Sequence, residues 1–268
     1  MRECKTDTGA AAKKQNTFQQ SVMRNYLLFL IGLFTVFHSL SFSAAQTGAV
    51  HIADFSSLSP NSLPEDWIQI LPKKQKAYTD YSVIRESNDT FLRARSNGTG
   101  SYIEKDLGQI DVAQFPIMEW TWMVSRFPEV EWEEDKSDND FAIRIELVYD
   151  FKGSAFNILN IIRKGLIRTV FLHYPPEVII SYVWALKVPA EVHFVSPDNK
   201  RMMTMPIESG KSMKGRWIQE QRNIKKDFDK FIANKHIVLK KIRIRADTDN
   251  SLTGAESGIK KISLFQRQ

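Results

Sequence analysis

The sequence has very little cysteine: a single residue, Cys4, in 268. A disulfide framework and a thiolate zinc site are therefore excluded for the rest of the chain. Catalytic signatures are missing as well, since there is no nucleophile elbow, phosphate loop, dinucleotide-binding fingerprint or HExxH motif. The five histidines are scattered at spacings that indicate no zinc site. These absences favour a protein without enzymatic activity.

The sequence also lacks an apolar run long enough to span a membrane comfortably. The one uncharged apolar run covers residues 26–37, whereas a spanning helix needs about 20 residues. It follows Arg24 and precedes Ser43 and Ala45, which are small residues at the −3 and −1 positions of a cut after Ala45. Residues 23–45 are therefore predicted to be a signal peptide, and the protein to be periplasmic or secreted. The alternative is an uncleaved segment that anchors it to the membrane.

The net charge of the chain is small once the predicted signal peptide is removed. Residues 1–22 form a polar lead, and Met23 is a plausible start. Loss of residues 1–45 removes five basic and two acidic side chains, so the net charge falls from +6 to about +3. A charge this small does not favour nucleic acid as a partner. Residues 46–268 are predicted to form a single domain.

Short runs rich in β-branched and aromatic residues recur along this domain, separated by turn residues. That pattern predicts an all-β protein with a jelly-roll-like β-sandwich. The predicted strands are 50–55, 81–86, 91–96, 101–107, 117–124, 141–149, 180–188, 202–208, 216–224, 238–246 and 258–265.

Two stretches break the β pattern. Residues 224–232 are predicted to form one short helix. Residues 154–173 have polar side chains at helical spacing, including Lys164 and Arg168, on an otherwise apolar cylinder. Such an amphipathic helical insertion can contact a membrane surface or a protein partner. The alternative is a helix that covers one end of the sandwich.

Charged side chains recur inside the predicted strands, opposite apolar ones. Arg144 and Glu146 alternate with isoleucines, and Glu220 and Arg222 share one face of their strand. One hypothesis is a polar groove that binds a glycan or another envelope component, with tryptophans stacked on the ligand. The alternatives are cross-strand ion pairs on a solvated sheet and tryptophans in the core. The candidate ligand-binding residues are Glu119, Trp120, Trp122, Asp140, Arg144, Glu146, Trp184, Glu220 and Arg222.

A second hypothesis is an envelope hydrolase, because glycoside hydrolysis needs an acid and a base or nucleophile at a fixed separation. The sequence alone gives no distances between carboxylates. The candidates are Glu119, Asp138, Asp140, Glu146 and Glu220.

The stretch 247-DTDN-250 concentrates polar groups after a predicted strand. It is not an EF-hand loop, because Leu252 stands where glycine is required and Gly258 where glutamate is required. A turn, in which aspartate and asparagine bond to their own backbone, is the simplest interpretation.

Several segments together resemble a family of bacterial exported proteins known as domain of unknown function 3047. The resemblance spans residues 51–266, although Asn139 separates two acids that are adjacent in that family. It implies a single jelly-roll-like sandwich of the galactose-binding type, with no established activity. It also implies a possible structural calcium ion, held by Asp54, Asp247, Asp249 and Asn250. The matching segments are 81–86, 91–96, 119–124, 138–145, 181–185, 217–228 and 247–250.

The function that these observations favour is that of an exported, non-catalytic β-sandwich protein that binds a glycan or another polar envelope component. The alternatives are the carboxylate-pair hydrolase and a scaffold that docks on a membrane or partner through residues 154–173.

Overall fold

The structure, a computed structural model, describes residues 48–73, 75–151, 177–232 and 237–267. All of its strands belong to one compact unit, Thr47–Gln268. The predicted signal peptide at 23–45 and the predicted helical insertion at 154–173 lie outside the described residues. No helix in the described ranges is both long and apolar enough to cross a membrane.

The described residues form two β-sheets and one short α-helix. The six-stranded sheet contains β1 (Ala49–Asp54), β3 (Asp80–Glu86), β4 (Asp89–Asn97), β6 (Ile117–Arg126), β11 (Ile218–Asn223) and β13 (Gly254–Phe265). The seven-stranded sheet contains β2 (Ile68–Ile70), β5 (Tyr102–Asp111), β7 (Phe141–Phe151), β8 (Val178–Ala185), β9 (Phe194–Val195), β10 (Met202–Ser209) and β12 (Ile237–Asp247). The helix, α1, is Ile224–Phe231, and a single 3-10 turn covers Phe55–Ser57.

Strands that are distant in sequence are neighbours in both sheets. The six-stranded sheet runs β11-β6-β13-β4-β3, and β1 also pairs with β13. The seven-stranded sheet runs β2-β5-β12-β7-β8-β10-β9. Neighbours are antiparallel except for β8 and β10, which are parallel. The predicted all-β sandwich is thus confirmed.

Alternation along the strands explains why the two sheets pack together. In β6 the side chains of Met118, Trp120, Trp122 and Val124 are buried on one face. In β7 the side chains of Ile143, Ile145 and Leu147 face the same core. Trp120 of one sheet stacks on Tyr182 of the other, with ring centroids 5.4 Å apart. The largest core cluster therefore lies between the sheets, and two smaller buried clusters, one with Val183 and one with Val148, are separate from it.

Helix α1 confirms the helix predicted at 224–232. Asn223 caps it, because its side-chain oxygen accepts a hydrogen bond of 2.8 Å from the backbone N–H of Lys226. Ile224 and Phe228 turn into the core. The strands β2 and β9 were not predicted, since three and two residues are too short to display an alternation.

Candidate binding site on the outer face of the seven-stranded sheet

One row of polar side chains crosses the outer face of the seven-stranded sheet. Glu146 of β7 pairs in register with Arg243 of β12 on one side and with Ser181 of β8 on the other. Directly opposed residues point to the same face of a sheet. Arg243 is opposite Glu104 of β5, and Ser181 is opposite Thr204 of β10. We call these five residues, on five adjacent strands, the polar row.

The β5 end of the polar row is well paired and partly exposed. Glu104 accepts hydrogen bonds from Lys241 at 2.8 Å and from Arg243 at 2.6 Å. Burial raises the pKa of Glu104, but the hydrogen bonds from Lys241 and Arg243 outweigh it, and the pKa lies below its ordinary value. The Arg243 guanidinium also lies 4.9 Å from the ring centroid of Tyr102. This end is therefore a charge-balanced, fixed arrangement.

The β10 end of the polar row is buried and incompletely paired. Glu146 Oε1, Ser181 Oγ and Thr204 Oγ1 find no hydrogen-bond partner in the part of the chain that the structure describes. Glu146 is 2% exposed, and Ser181 and Thr204 are fully buried. A buried polar atom without a partner costs about 1–3 kcal/mol. Three of them in adjacent register on three strands are the strongest indication of a binding site in the described residues.

Arg144 lies on the same face but serves the fold. Its guanidinium donates two hydrogen bonds to Asp247, at 3.0 and 2.9 Å, and a third, at 2.5 Å, to the carbonyl of Asn139. Arg245 adds an ion pair of 3.0 Å to the same carboxylate. With Arg144 only 1% exposed, its donors are committed to the protein. The prediction that Arg144 binds a ligand is therefore not supported, whereas Glu146 remains a candidate.

The remaining charged candidates do not lie on this face. Glu119, Glu220 and Arg222 belong to the six-stranded sheet. Glu119 accepts from Gln221 on the outer side of that sheet, at 2.6 Å. Arg222 binds Asp227 of α1 and Glu191. The single charged groove predicted from the sequence is wrong, because alternation assigns a face within a strand but not the sheet to which the strand belongs.

This separation also bears on the hydrolase hypothesis. Glu119, Glu146 and Glu220 lie on different surfaces, so no two of them are placed to act on one bond. Asp138 accepts from the backbone N–H groups of Glu131 and Trp132. The hydrolase hypothesis therefore has no support from Glu119, Glu146 and Glu220.

The three predicted tryptophans lie in the core. Trp120, Trp122 and Trp184 are each at most 1% exposed. Trp122 packs between the other two, with ring centroids 5.3 Å from Trp120 and 6.0 Å from Trp184. All three belong to the core cluster packed between the two sheets, so the predicted stacking platform is not supported. The alternative interpretation, a core position, is confirmed.

Three aspartates do come together at the end of β12. Ligand oxygens of Asp140, Asp247 and Asp249 lie within 4.8 Å of one another. Burial, reinforced by the charge of Asp247, raises the pKa of Asp140 to about 6 and that of Asp249 above its ordinary value. Asp140 accepts from the backbone N–H groups of Asn250 and Ser251, at 3.3 and 2.6 Å. Asp140 therefore fastens the turn after β12, and the predicted turn at 247–250 is confirmed.

This group fits the predicted calcium ion poorly. Both oxygens of Asp247 already accept hydrogen bonds from Arg144, and Arg245 adds a second positive charge. A calcium ion needs six to eight oxygen ligands that are free of cations. Asp54, a predicted ligand, lies elsewhere: it is opposite Lys261 on β13, seven residues along the strand from Gly254, or roughly 23 Å at the rise of a strand. It caps the 3-10 turn and pairs with Lys261.

Glu220, another of the predicted residues, has a carboxyl group with a strongly raised pKa. It accepts a hydrogen bond of 3.2 Å from the indole N–H of Trp122. Burial, together with the neighbouring charge of Glu208, raises its pKa to about 7. The protonated form is therefore the one that the folded state favours.

We expect Glu220→Gln to change the pH dependence of stability. A raised pKa adds stability that is complete below about pH 4.5 and is lost as the pH rises through about 7. Glutamine does not ionise, so the variant keeps this stability at high pH. Its free energy of unfolding at pH 8 should therefore exceed that of the wild type by about 1 kcal/mol, after allowance for solvent screening. Urea titrations at pH 5 and pH 8 measure the difference. Glu119→Gln is the matched control, and equal pH profiles for wild type and Glu220→Gln would contradict the prediction.

Four of the five residues of the polar row are not among the residues predicted to bind a ligand, and Glu146 is the exception. Ser181 and Thr204 are single hydroxyls in apolar strands, 180-ISYVWALKV-188 and 202-MMTMPIE-208. Each is the one small polar side chain among large apolar neighbours, and that is the only signal they give. Their alignment with Glu146 depends on the pairing of β7, β8 and β10, which the sequence does not display.

Comparison with known proteins identifies the family. The model of the family described as "Protein of unknown function (DUF3047)" matches residues 65–263. The chain belongs to the DUF3047 family. The match includes every residue of the polar row and the aspartates around β12. The family resemblance noted in the sequence is thus confirmed. No curated protein sequence matches the chain.

Several solved structures are similar to this DUF3047 chain. One is the family 11 carbohydrate-binding module of the cellulase Lic26A-Cel5E of Clostridium thermocellum, with 7% identity, a TM-score of 0.41, and coverage of 83% of this chain and 97% of that one. The same module in complex with a β-1,3-1,4-mixed-linked tetrasaccharide gives 6% identity, a TM-score of 0.39, and coverage of 83% and 98%. The K3 cleaved adhesin domain of Lys-gingipain from Porphyromonas gingivalis gives 7% identity, a TM-score of 0.33, and coverage of 81% and 99%. These identities are low, so the ligands of these structures say nothing about the ligand of this chain.

Proposed function

We propose that the protein is a non-catalytic binder of a neutral glycan, or of a similar polar component of the cell envelope, and that the polar row contacts this ligand. The observation that carries the proposal is the set of three buried oxygens, of Glu146, Ser181 and Thr204, that lack a partner among the described residues. A ligand that donates hydrogen bonds to these oxygens removes the cost of burying them.

The chemistry of the polar row suits sugar hydroxyls. A hydroxyl group both donates and accepts, so it can bond to the carboxylate of Glu146, to the hydroxyls of Ser181 and Thr204, or to the guanidinium of Arg243. Two acids, Glu104 and Glu146, are balanced by Arg243 and Lys241. A balanced site of this kind favours a neutral ligand over an ion.

Glu104 and Arg243, at the β5 end of the row, are the partly exposed members of it, and a ligand that reaches the row is expected to meet them first. Export to the periplasm or the outside of the cell, which the N-terminal pattern of the sequence predicts, brings such a protein to its glycans. Residues 154–173, predicted as a contact for a membrane or partner, lie outside the described residues and contribute nothing to this proposal.

We expect Ser181→Ala combined with Thr204→Val to separate binding from stability. Loss of two buried, unpaired hydroxyls should leave the free energy of unfolding unchanged or slightly higher, because no hydrogen bond within the described protein is lost. Affinity for a neutral oligosaccharide should fall by about tenfold or more, since each hydrogen bond to the ligand contributes about 0.5–1.5 kcal/mol. A glycan array supplies the oligosaccharide, and calorimetric titration gives the affinity.

Thr121→Val, on β6 of the other sheet, is the matched control and should bind like the wild type. Two results would count against the proposal. One is the absence of any neutral oligosaccharide bound on the array; the other is unchanged affinity in the Ser181/Thr204 double variant.

A further inference from the structure

A second concave site lies at one end of the sandwich. The segments that follow β6, β8 and β10 surround an open cleft of about 800 Å³. Residues 126–131 line one part of it, and residues 186, 187, 210, 211 and 214 line the rest. A volume of this size is within the range of about 300–1,000 Å³ that small ligands occupy. We call it the end cleft; none of its lining residues belongs to the polar row.

The end cleft is lined by more positive than negative charge. Its basic side chains are Arg126, Lys187, Lys211 and Lys214, and its acidic ones are Glu129 and Glu131. Lys187 has a long, exposed ion pair of 3.9 Å with Glu131. Within the described ranges, no ion pair is formed by the other three basic side chains. The lining of the cleft therefore includes three basic side chains that have no ion pair within the described residues.

An apolar surface accompanies this charge. Phe127 and Val130 line the cleft and are largely buried. Trp132, which directly follows the lining residue Glu131, is 68% exposed. Trp132 is not itself a lining residue, but an exposed tryptophan next in sequence to one offers a flat face to a sugar ring that extends out of the cleft. Cations alone would suit any anion, whereas cations beside an aromatic face suit an anionic sugar.

Both parts of the cleft lining are held rigidly by buried or well-bonded carboxylates. Asp138 accepts from the backbone N–H groups of Glu131 and Trp132, at 3.1 and 3.2 Å. Glu133, 1% exposed, accepts from three successive backbone N–H groups, those of Leu186, Lys187 and Val188. The loops are therefore fixed before a ligand arrives, and a fixed site loses little conformational entropy on binding.

We propose that the end cleft binds an acidic oligosaccharide. Carboxylate groups on the sugar pair with Arg126, Lys211 and Lys214, and a sugar ring lies against Trp132. A nucleic acid would need a longer basic track than these three cations, and a lipid surface would need a convex or flat one. The site is independent of the polar row, whose charge balance favours a neutral ligand.

Calorimetric titration with trigalacturonic acid at low and at moderate ionic strength tests the proposal, with neutral galactotriose as the matched sugar. Binding of the acidic trisaccharide alone is expected, and salt should weaken it because the cations are exposed. Lys211→Gln combined with Lys214→Gln should lower the affinity by about tenfold, equivalent to about 1.4 kcal/mol. Trp132→Ala should lower it by a similar factor. These side chains are exposed, so the fold is expected to be retained.

The control is Lys76→Gln combined with Lys200→Gln, which removes the same charge from exposed positions outside the cleft. It should bind trigalacturonic acid like the wild type. Equal weakening in this control would overturn the proposal, as would no binding of trigalacturonic acid at millimolar concentration. Equal affinity for a short single-stranded oligonucleotide would also overturn it, in favour of general polyanion binding. The Ser181/Thr204 double variant should bind trigalacturonic acid normally, so the two proposals fail separately.

Discussion

Asp247→Ala is expected to lower the free energy of unfolding by about 3–5 kcal/mol, because it leaves the buried Arg144 guanidinium without its counterion. Arg144 donates two hydrogen bonds to Asp247, and the backbone N–H of Phe141 donates a further one. Both partners are almost fully buried, with side chains 2% and 1% exposed. An unpaired cation in such surroundings cannot regain its hydration without moving the strands around it.

Urea unfolding of the wild type and the variant measures this loss. Asp80→Ala is the matched control, because Asp80 pairs with Arg93 while remaining 53% exposed. A surface pair of that kind contributes about 0–1 kcal/mol. A loss below about 1 kcal/mol for Asp247→Ala would contradict the prediction.

A double variant distinguishes loss of the Arg144–Asp247 ion pair from other structural damage caused by the substitution. Arg144→Leu combined with Asp247→Ala removes both charges, so the double variant should lose less stability than the two single variants together. Strict additivity would mean that the two side chains act independently, contrary to their geometry.

Trp122→Ala is expected to be as destabilising, by about 3–5 kcal/mol, for a different physical reason. Trp122 is fully buried between Trp120 and Trp184, so truncation leaves a large cavity in the layer between the sheets. It also removes the indole N–H that donates to Glu220. The cavity and the lost hydrogen bond act in the same direction.

Trp132→Ala is the control, because it is the same substitution at an exposed tryptophan. Trp132 is 68% exposed, and its truncation should change the free energy of unfolding by less than about 0.5 kcal/mol. Thermal unfolding of both variants, followed by urea titration, gives the comparison. Similar losses in the two variants would mean that burial does not distinguish these tryptophans, and the assignment of Trp122 to the core would fail.

Much of the fold could be predicted because alternation is a local property. The runs 117–124 and 141–149 became β6 and β7, and residues 224–232 became α1. What could not be predicted is the order of the strands in each sheet. Glu220 and Glu146 both sit in alternating strands, but one strand pairs with β6 and the other with β8 and β12. Pairing between strands far apart in sequence leaves no local trace.

The aspartates after β12 show the same limit for the site. Asp247 and Asp249 have the residue types of calcium ligands, and the resemblance to galactose-binding-like sandwiches raised calcium as the alternative to a simple turn. The deciding fact is Arg144, which lies 103 positions away in sequence and occupies both oxygens of Asp247. The hydroxyls of Ser181 and Thr204 are equally inconspicuous until their strands pair.

The position of β13 has a consequence for how the chain folds. This strand pairs with β1, β4 and β6, and its residue Phe265 is opposite Ala49. The centre of the six-stranded sheet therefore stays empty until residue 265 has left the ribosome, and nascent chains expose the bare edges of β4 and β6. Sequence separations this large make folding slow. The six-stranded sheet of such a chain therefore closes only at the end of synthesis.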